Sequence, residues 1–157
     1  MIEQIEHYLY VFFCSMVPLI ELRGAIPIGA ALEMPWVANF LVSIAGNMLP
    51  VPFILLFIRR ILAWMKTTKH LSKIALWLEK KAAKNTAKVM KYASLGLTIF
   101  VGIPLPGTGA WTGALVAALL DMRLKYSLPS IFAGVVIAAF IMSGISYGFL
   151  GFLSFLA

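Results

Sequence analysis

The chain has 157 residues, 62% of them hydrophobic and only 12% charged, with a net charge of +7 and a mean hydropathy of +0.96. A soluble domain is about 45–50% apolar and about 25% charged, and a chain this short cannot bury so large an excess in one core, so an ordinary water-soluble domain is excluded and lipid must cover the surface. The lone Cys14 excludes an intrachain disulfide or cysteine metal site, and His7 and His70, far apart in sequence, lack metal-ligand spacing.

The N-terminus carries Glu3 and Glu6 and no basic segment, unlike a cleaved signal peptide. Four apolar stretches follow, at 8–32, 36–58, 93–120 and 127–157; the last three contain no charged residue and each exceeds the roughly 20 residues that cross a bilayer core. The first stretch is interrupted by Pro18-Leu-Ile-Glu-Leu-Arg-Gly-Ala-Ile-Pro27. Proline removes a backbone donor and glycine weakens a helix, which predicts a break near the middle of this segment. Glu21 and Arg23 within it are the only charges in any apolar stretch, and buried charges of this kind face protein or a wet cavity. They could neutralise one another and pin the segment. Alternatively, Arg23 offers a planar fork for a phosphate or carboxylate, with Gly24 beside it, while Glu21 takes up and releases protons. In a regular helix the two point about 200° apart, so joint action calls for non-helical backbone.

The 36–58 span holds Asn47 near Pro50 and Pro52; an interhelical hydrogen bond is its first reading and a ligand contact its second. Residues 59–92 carry ten of the thirteen basic side chains and one acid, a net +9 against −2 for the rest, which marks a cytoplasmic segment. Lys66, Lys69, Lys73, Lys80, Lys84, Lys88 and Lys91 form one helical stripe opposite Leu71, Ala75, Leu78, Ala82 and Val89, suiting an amphipathic helix on the membrane surface, in contact with lipid headgroups. Nucleic acid is the weaker explanation, since neither a stacking platform nor a basic soluble domain accompanies the charge.

A second interrupted stretch reads Pro104-Leu-Pro-Gly-Thr-Gly-Ala-Trp-Thr-Gly113. It is uncharged, so its chemistry would come from amides around Gly107 and Gly109, the Thr108 and Thr112 hydroxyls and the Trp111 ring; a glycine-rich turn opening a helix can bind an anion. The two interrupted stretches belong to a weak repeat at an offset of 88 residues, which aligns Leu9/Leu97, Phe12/Phe100, Pro18/Pro106, Ala30/Ala118, Leu32/Leu120, Met34/Met122, Ala45/Ala133 and Gly46/Gly134, with Glu33 opposite Asp121. Corresponding breaks in two halves are a sequence pointer to a transporter site. With the basic segment inside, placing Arg123 and Lys125 inside as well requires both stretches to turn back and the halves to run oppositely.

The fold read from the sequence is therefore an all-α polytopic membrane protein with two inverted repeats (8–58 and 93–157, joined by linker 59–92), each a re-entrant helical hairpin plus a transmembrane helix. No catalytic set, metal cluster or cofactor motif is present, and an enzyme is not expected. So few spans make a narrow wall around a pathway, which favours a homodimer.

At Glu21-Leu-Arg-Gly-Ala-Ile-Pro27 and Pro104–Gly113 the chain resembles the small multidrug export protein family, compact prokaryotic membrane proteins. More distantly its layout is similar to the DedA superfamily, which includes SNARE-associated membrane proteins. That resemblance implies two re-entrant hairpins in inverted arrangement, a site with an acid and an arginine, and proton-linked movement of lipids such as undecaprenyl phosphate. Trp111 and Thr112 stand where an arginine of the second hairpin is expected. The expectation is a multi-pass inner-membrane secondary transporter for an amphipathic or anionic substrate such as a lipid phosphate. Arg23, Gly24, Gly107, Thr108, Gly109, Trp111 and Thr112 would bind it, Glu21 would couple protons, and Asn47 stands as a further candidate. The rivals are an exporter of cationic drugs using Glu21, and a scaffold acting through its lysine-rich helix.

Overall fold

The computed structural model describes residues 2–67, 86–105 and 107–156. Among them every regular element is a helix: α1 (Ile2–Met16), α2 (Glu21–Ala31), α3 (Trp36–Met48), α4 (Pro50–Thr67), α5 (Thr86–Gly102), α6 (Ala110–Leu119) and α7 (Leu124–Leu156). The central part of the lysine stripe lies outside the described residues; its ends continue α4 and open α5.

α3 and α4 run on through Leu49, whose backbone stays helical (φ −57°, ψ −47°). The division between them reflects Pro50 and Pro52, which have no N–H to give to the carbonyls one turn back. Trp36–Ile61 and Leu124–Gly148 are long and apolar enough to cross a membrane. The helices α1, α2 and α6, at 15, 11 and 10 residues, are each shorter than the roughly 20 residues a bilayer core requires; α5 has 17 described residues.

The 88-residue offset reappears in the backbone. α2 and α6 end, and α3 and α7 begin, 88 residues apart. Both short helices close in the same way: Glu33 N–H donates to Ala30 O (3.1 Å) and Met34 N–H to Gly29 O (3.0 Å), as Asp121 N–H does to Ala118 O (3.0 Å) and Met122 N–H to Ala117 O (2.9 Å). These are Schellman caps, with an apolar residue, Met34 or Met122, buried just beyond. The left-handed position that glycine usually fills is held by Glu33 (φ 55°) and Asp121 (φ 50°). The acid–Met pair of the repeat is thus a helix stop written twice.

The Ala-Gly pair of the repeat also has a structural cause. A Cβ on Gly46 would collide with Ser15 Oγ and the Phe12 carbonyl where α3 crosses α1. On Gly134 it would lie 2.7 Å from Val101 Cβ and 2.8 Å from Thr98 O, where α7 crosses α5. Each half is therefore a short helix packed closely on a long one, with backbones brought together by glycine. The halves also exchange contacts: α2 packs on α7, and α6 on α4. Where α3 and α7 touch they run in opposite directions, since Asn39 bonds Tyr147 while Asn47, two turns on, shares a crevice with Val135 and Ala138.

One expectation is corrected. The first interrupted stretch does not break near Gly24; the chain leaves α1 after Met16, turns through Val17–Ile20 and is helical from Glu21 through Pro27. Pro18 does the breaking, and Pro27 is accommodated at the loss of one bond to the Arg23 carbonyl.

Gly46→Ala and Gly134→Ala should each destabilise the detergent-solubilised protein by about 1–3 kcal/mol through overpacking. Gly144→Ala, whose Cβ would meet nothing within 4 Å, should be neutral or stabilising by up to about 1 kcal/mol. Thermal melting of the three variants measures the contrast.

Candidate functional site

The two interrupted stretches face one another. Together they line an open cavity of about 540 Å³, with Glu21, Arg23 and Gly24 from one half and Gly107, Thr108 and Thr112 from the other. Its rim is apolar: Leu19, at the tip of the first turn, is 96% exposed.

Each charged side chain deals with a helix end of the other half. α5 stops at Gly102, which leaves its last carbonyls without intrahelical donors. Arg23 donates just beyond them, to the loop that follows: Nη1 to Leu105 O, and Nη2 to Ile103 O (3.3 Å) and to Thr108 Oγ1 (2.7 Å). The Thr108 hydroxyl lies 2.8 Å from Ile103 O and 2.9 Å from Leu105 O, so guanidinium, hydroxyl and carbonyls form one knot. α6 begins at Ala110, and its unpaired N–H groups meet Glu21. The Trp111 N–H donates to Glu21 Oε1 at 3.2 Å, and the Ala110 N–H also faces the carboxylate. A carboxylate at the positive end of a helix and a guanidinium at a negative end are both favourable placements. Glu21 is 5% exposed and starts α2 with φ 49°, a left-handed conformation that costs an L-residue about 1–2 kcal/mol. Glu21 and Arg23 do not pair with each other.

Gly109 fits as glycine because of this contact: a Cβ there would run into the Glu21 carboxylate. The anion-binding turn read from Gly107 and Gly109 is thus occupied from within the chain by Glu21. Trp111 has a second role, its Nε1 donating to Met16 O (3.0 Å), the last residue of α1. Arg23 and Trp111 are 88 residues apart, so the same position in each half donates to carbonyls at or just beyond the end of the other half's first helix.

Behind the carboxylate lies a crevice too narrow for a water molecule, lined by Glu21, Leu22, Arg23, Asn47, Val101, Gly109, Ala110, Val135 and Ala138. Glu21 and Gly109, like Asn47 and Val135, are 88 residues apart, so equivalent positions of the halves converge here. Asn47 is 1% exposed, and neither its Nδ2 nor its Oδ1 has a hydrogen-bond partner. Its expected interhelical bond is made instead by Asn39, two turns earlier. Asn39 Nδ2 donates to Ile26 O (2.8 Å) and to Tyr147 Oη (2.9 Å), Ser43 Oγ lies 3.2 Å from Asn39 Oδ1, and Tyr147 Oη donates to Met34 O (2.8 Å). Asn39 and Tyr147 are the residues that sequence reasoning missed; the signal available was Asn39, Ser43 and Asn47 at steps of four in an apolar helix.

Eight of the nine candidate residues thus line the cavity or the crevice behind it; the ninth, Trp111, lines neither and joins the site through its N–H bond to Glu21. The family described as "Putative small multi-drug export protein" matches residues 21–141. The chain belongs to this family. Its match opens on Glu21, takes in residues 21–27 of the first interrupted stretch, Asn47 and the whole of the second stretch, and ends inside α7. Neither a curated protein nor a solved structure matches the chain. The family and the two long apolar helices make this a membrane protein of an export family.

Arg23→Ala strips a charged donor from two loop carbonyls and should cost at least about 2 kcal/mol of stability, measured by thermal melting. A double-mutant cycle between Gly109→Ala and Glu21→Ala should show a coupling of about 0.5–3 kcal/mol, because the alanine methyl clashes only while the carboxylate is present.

Proposed function

We propose that this protein is a small secondary transporter of a prokaryotic inner membrane, moving an amphipathic or anionic substrate with proton coupling. The carrying observation is the cavity of about 540 Å³ walled by both interrupted stretches, with Glu21 and Arg23 in its lining. Binding clefts of about 300–1,000 Å³ hold small ligands, and an apolar rim around two charged groups suits a molecule with a polar head and a hydrocarbon tail, such as a lipid phosphate.

In this reading α1–α2 and α5–α6 are re-entrant hairpins whose tips meet inside the membrane. The shortness of α1, α2 and α6 supports it, as irregular backbone at membrane depth needs protein or a wet cavity around it. The opposed directions of α3 and α7 where they touch support an inverted repeat, with the basic 59–92 segment on the cytoplasmic side and a homodimer completing the wall. An anionic headgroup would compete with Ile103, Leu105 and Thr108 for Arg23, loosening the 103–109 turn. Protonation of Glu21 would remove the charge from the start of α6, so substrate and proton would act on the two ends of one broken helix.

The second reading, export of a cationic drug, draws on a specific observation. The Arg23 donors are engaged with carbonyls and a hydroxyl, which leaves Glu21 as the cavity's ionic partner for a cation, and the family's name points to drugs.

Proteoliposome uptake of a polyprenyl phosphate and of a lipophilic cation, with and without a pH gradient, separates them. For the lipid reading, gradient-responsive movement of the polyprenyl phosphate should fall at least about tenfold in Arg23→Ala and Glu21→Gln, a loss of about 1.4 kcal/mol or more. Cation uptake abolished by Glu21→Gln but surviving Arg23→Lys would favour the second reading. Transport of neither compound by the folded parent would sink both substrate assignments.

A further inference from the structure

The buried polar groups that the site leaves unused form a column. On α3, Asn39, Ser43 and Asn47 follow one another at steps of four and therefore share a face; all three are buried. On α7, Tyr147 and Ser143 are also one turn apart. Tyr147 bonds Asn39, and Asn47 shares its crevice with Val135 and Ala138. The antiparallel register between these two points sets Ser143 at the level of Ser43. Eight residues of helix separate Asn39 from Asn47, about 12 Å at 1.5 Å per residue. The column thus runs from the α2–α3 turn, where Tyr147 Oη donates to Met34 O beside exposed Glu33, to the crevice that holds Glu21.

Its two ends differ. Toward the turn, Asn39, Ser43 and Tyr147 are joined by hydrogen bonds. Toward Glu21, Ser143 Oγ and both polar atoms of the Asn47 amide have no partner, and the crevice has no room for water. A buried amide without partners costs about 1–3 kcal/mol, and an apolar residue of similar size would avoid that cost. An unpaired asparagine facing a carboxylate across a dry gap has a physical use if the gap fills with water in another state of the protein.

We propose that this column is the proton access route to Glu21, closed in the state described by the dry step between Ser143, Asn47 and the carboxylate, and opened when water enters that step. The inference rests on the reading of Glu21 as the coupling carboxyl. Water bridging Asn47 to Ser43 and Ser143 would complete a continuous chain from Tyr147. A proton arriving along it binds a Glu21 oxygen, converts the carboxylate to the acid and leaves neutral water in the chain; the reverse step returns it. Arg23 is the other charged residue lining the crevice. The other lining groups from α3, α5, α6 and α7 are Asn47, Val101, Gly109, Ala110, Val135 and Ala138, none of which titrates. A dry resting gap also keeps protons from leaking when no substrate moves.

The test is infrared difference spectroscopy on the reconstituted full-length protein, transferred from water to D2O across pD 4–9. The Glu21 carboxyl band is identified by its loss in Glu21→Gln, and its exchange rate is compared between the parent, Asn47→Leu and Asn47→Ser. The proposal expects exchange at least about tenfold slower in Asn47→Leu and restored in Asn47→Ser, while Asn47→Leu melts no lower than the parent. That combination separates a route from a structural role, since a structural asparagine would lower the melting temperature when replaced. A Glu21-dependent band whose exchange is unchanged in Asn47→Leu overturns the route and leaves the coupling carboxyl standing. The absence of any Glu21-dependent carboxyl band across the range overturns both.

Discussion

A break between two packed helices leaves carbonyls at one end and N–H groups at the other, all of which need partners. The architecture of this chain depends on how those ends are met. Arg23 covers the carbonyls after α5, Glu21 covers the amides that begin α6, and the Trp111 indole covers the last carbonyl of α1. All three reach across from the opposite half. The close crossings at Gly46 and Gly134 hold each short helix on its long partner, but this exchange of caps holds the two short pairs against each other and creates the cavity between them.

The halves are alike in backbone and unlike in chemistry. Arg23 and Trp111 occupy equivalent positions and perform equivalent tasks, one with a permanent charge and the other with a neutral N–H donor. Glu21 and Gly109 are also equivalent, and they meet: one contributes a carboxylate, the other the empty space it needs. Ionic function is thereby concentrated in one half, while the other provides backbone. A site built in this way responds to charge at both ends of a single broken helix, which is the property an ion-linked transporter can use.

Much of this was readable from the residues. The 88-residue offset located both helix stops and both close crossings, because left-handed caps and tight helix contacts restrict residue type strongly enough to survive as a weak repeat. The interrupted stretches carried every candidate side chain but Asn47. The first break was misplaced because Pro18, Gly24 and Pro27 all favour a break and the sequence does not rank them: the chain turns at Pro18, while α2 keeps Gly24 and carries Pro27 in its interior at the loss of one backbone bond. The partners of Glu21 and Arg23 were not readable, since both are bound largely by main-chain groups, which every residue supplies. Asn39 and Tyr147, 108 residues apart, were hidden for another reason: their bond follows from the antiparallel contact of α3 and α7, which only folding brings about. The lysine stripe at 66–91 belongs to a segment whose centre lies outside the described residues.

The exchange of caps also constrains how the protein is made. A ribosome delivers Glu21 and Arg23 well before Ile103, Thr108 and Trp111 exist, so during synthesis the first half has charges without partners and carbonyls without donors. Each such charge costs about 2.5–3.5 kcal/mol at the centre of a bilayer. In the re-entrant reading proposed above, the first hairpin would not be stable in lipid alone and would wait at the interface, or in the shelter of the insertion machinery, until the second half emerges. That reading makes biogenesis a late docking of two halves and not a sequence of independent insertions.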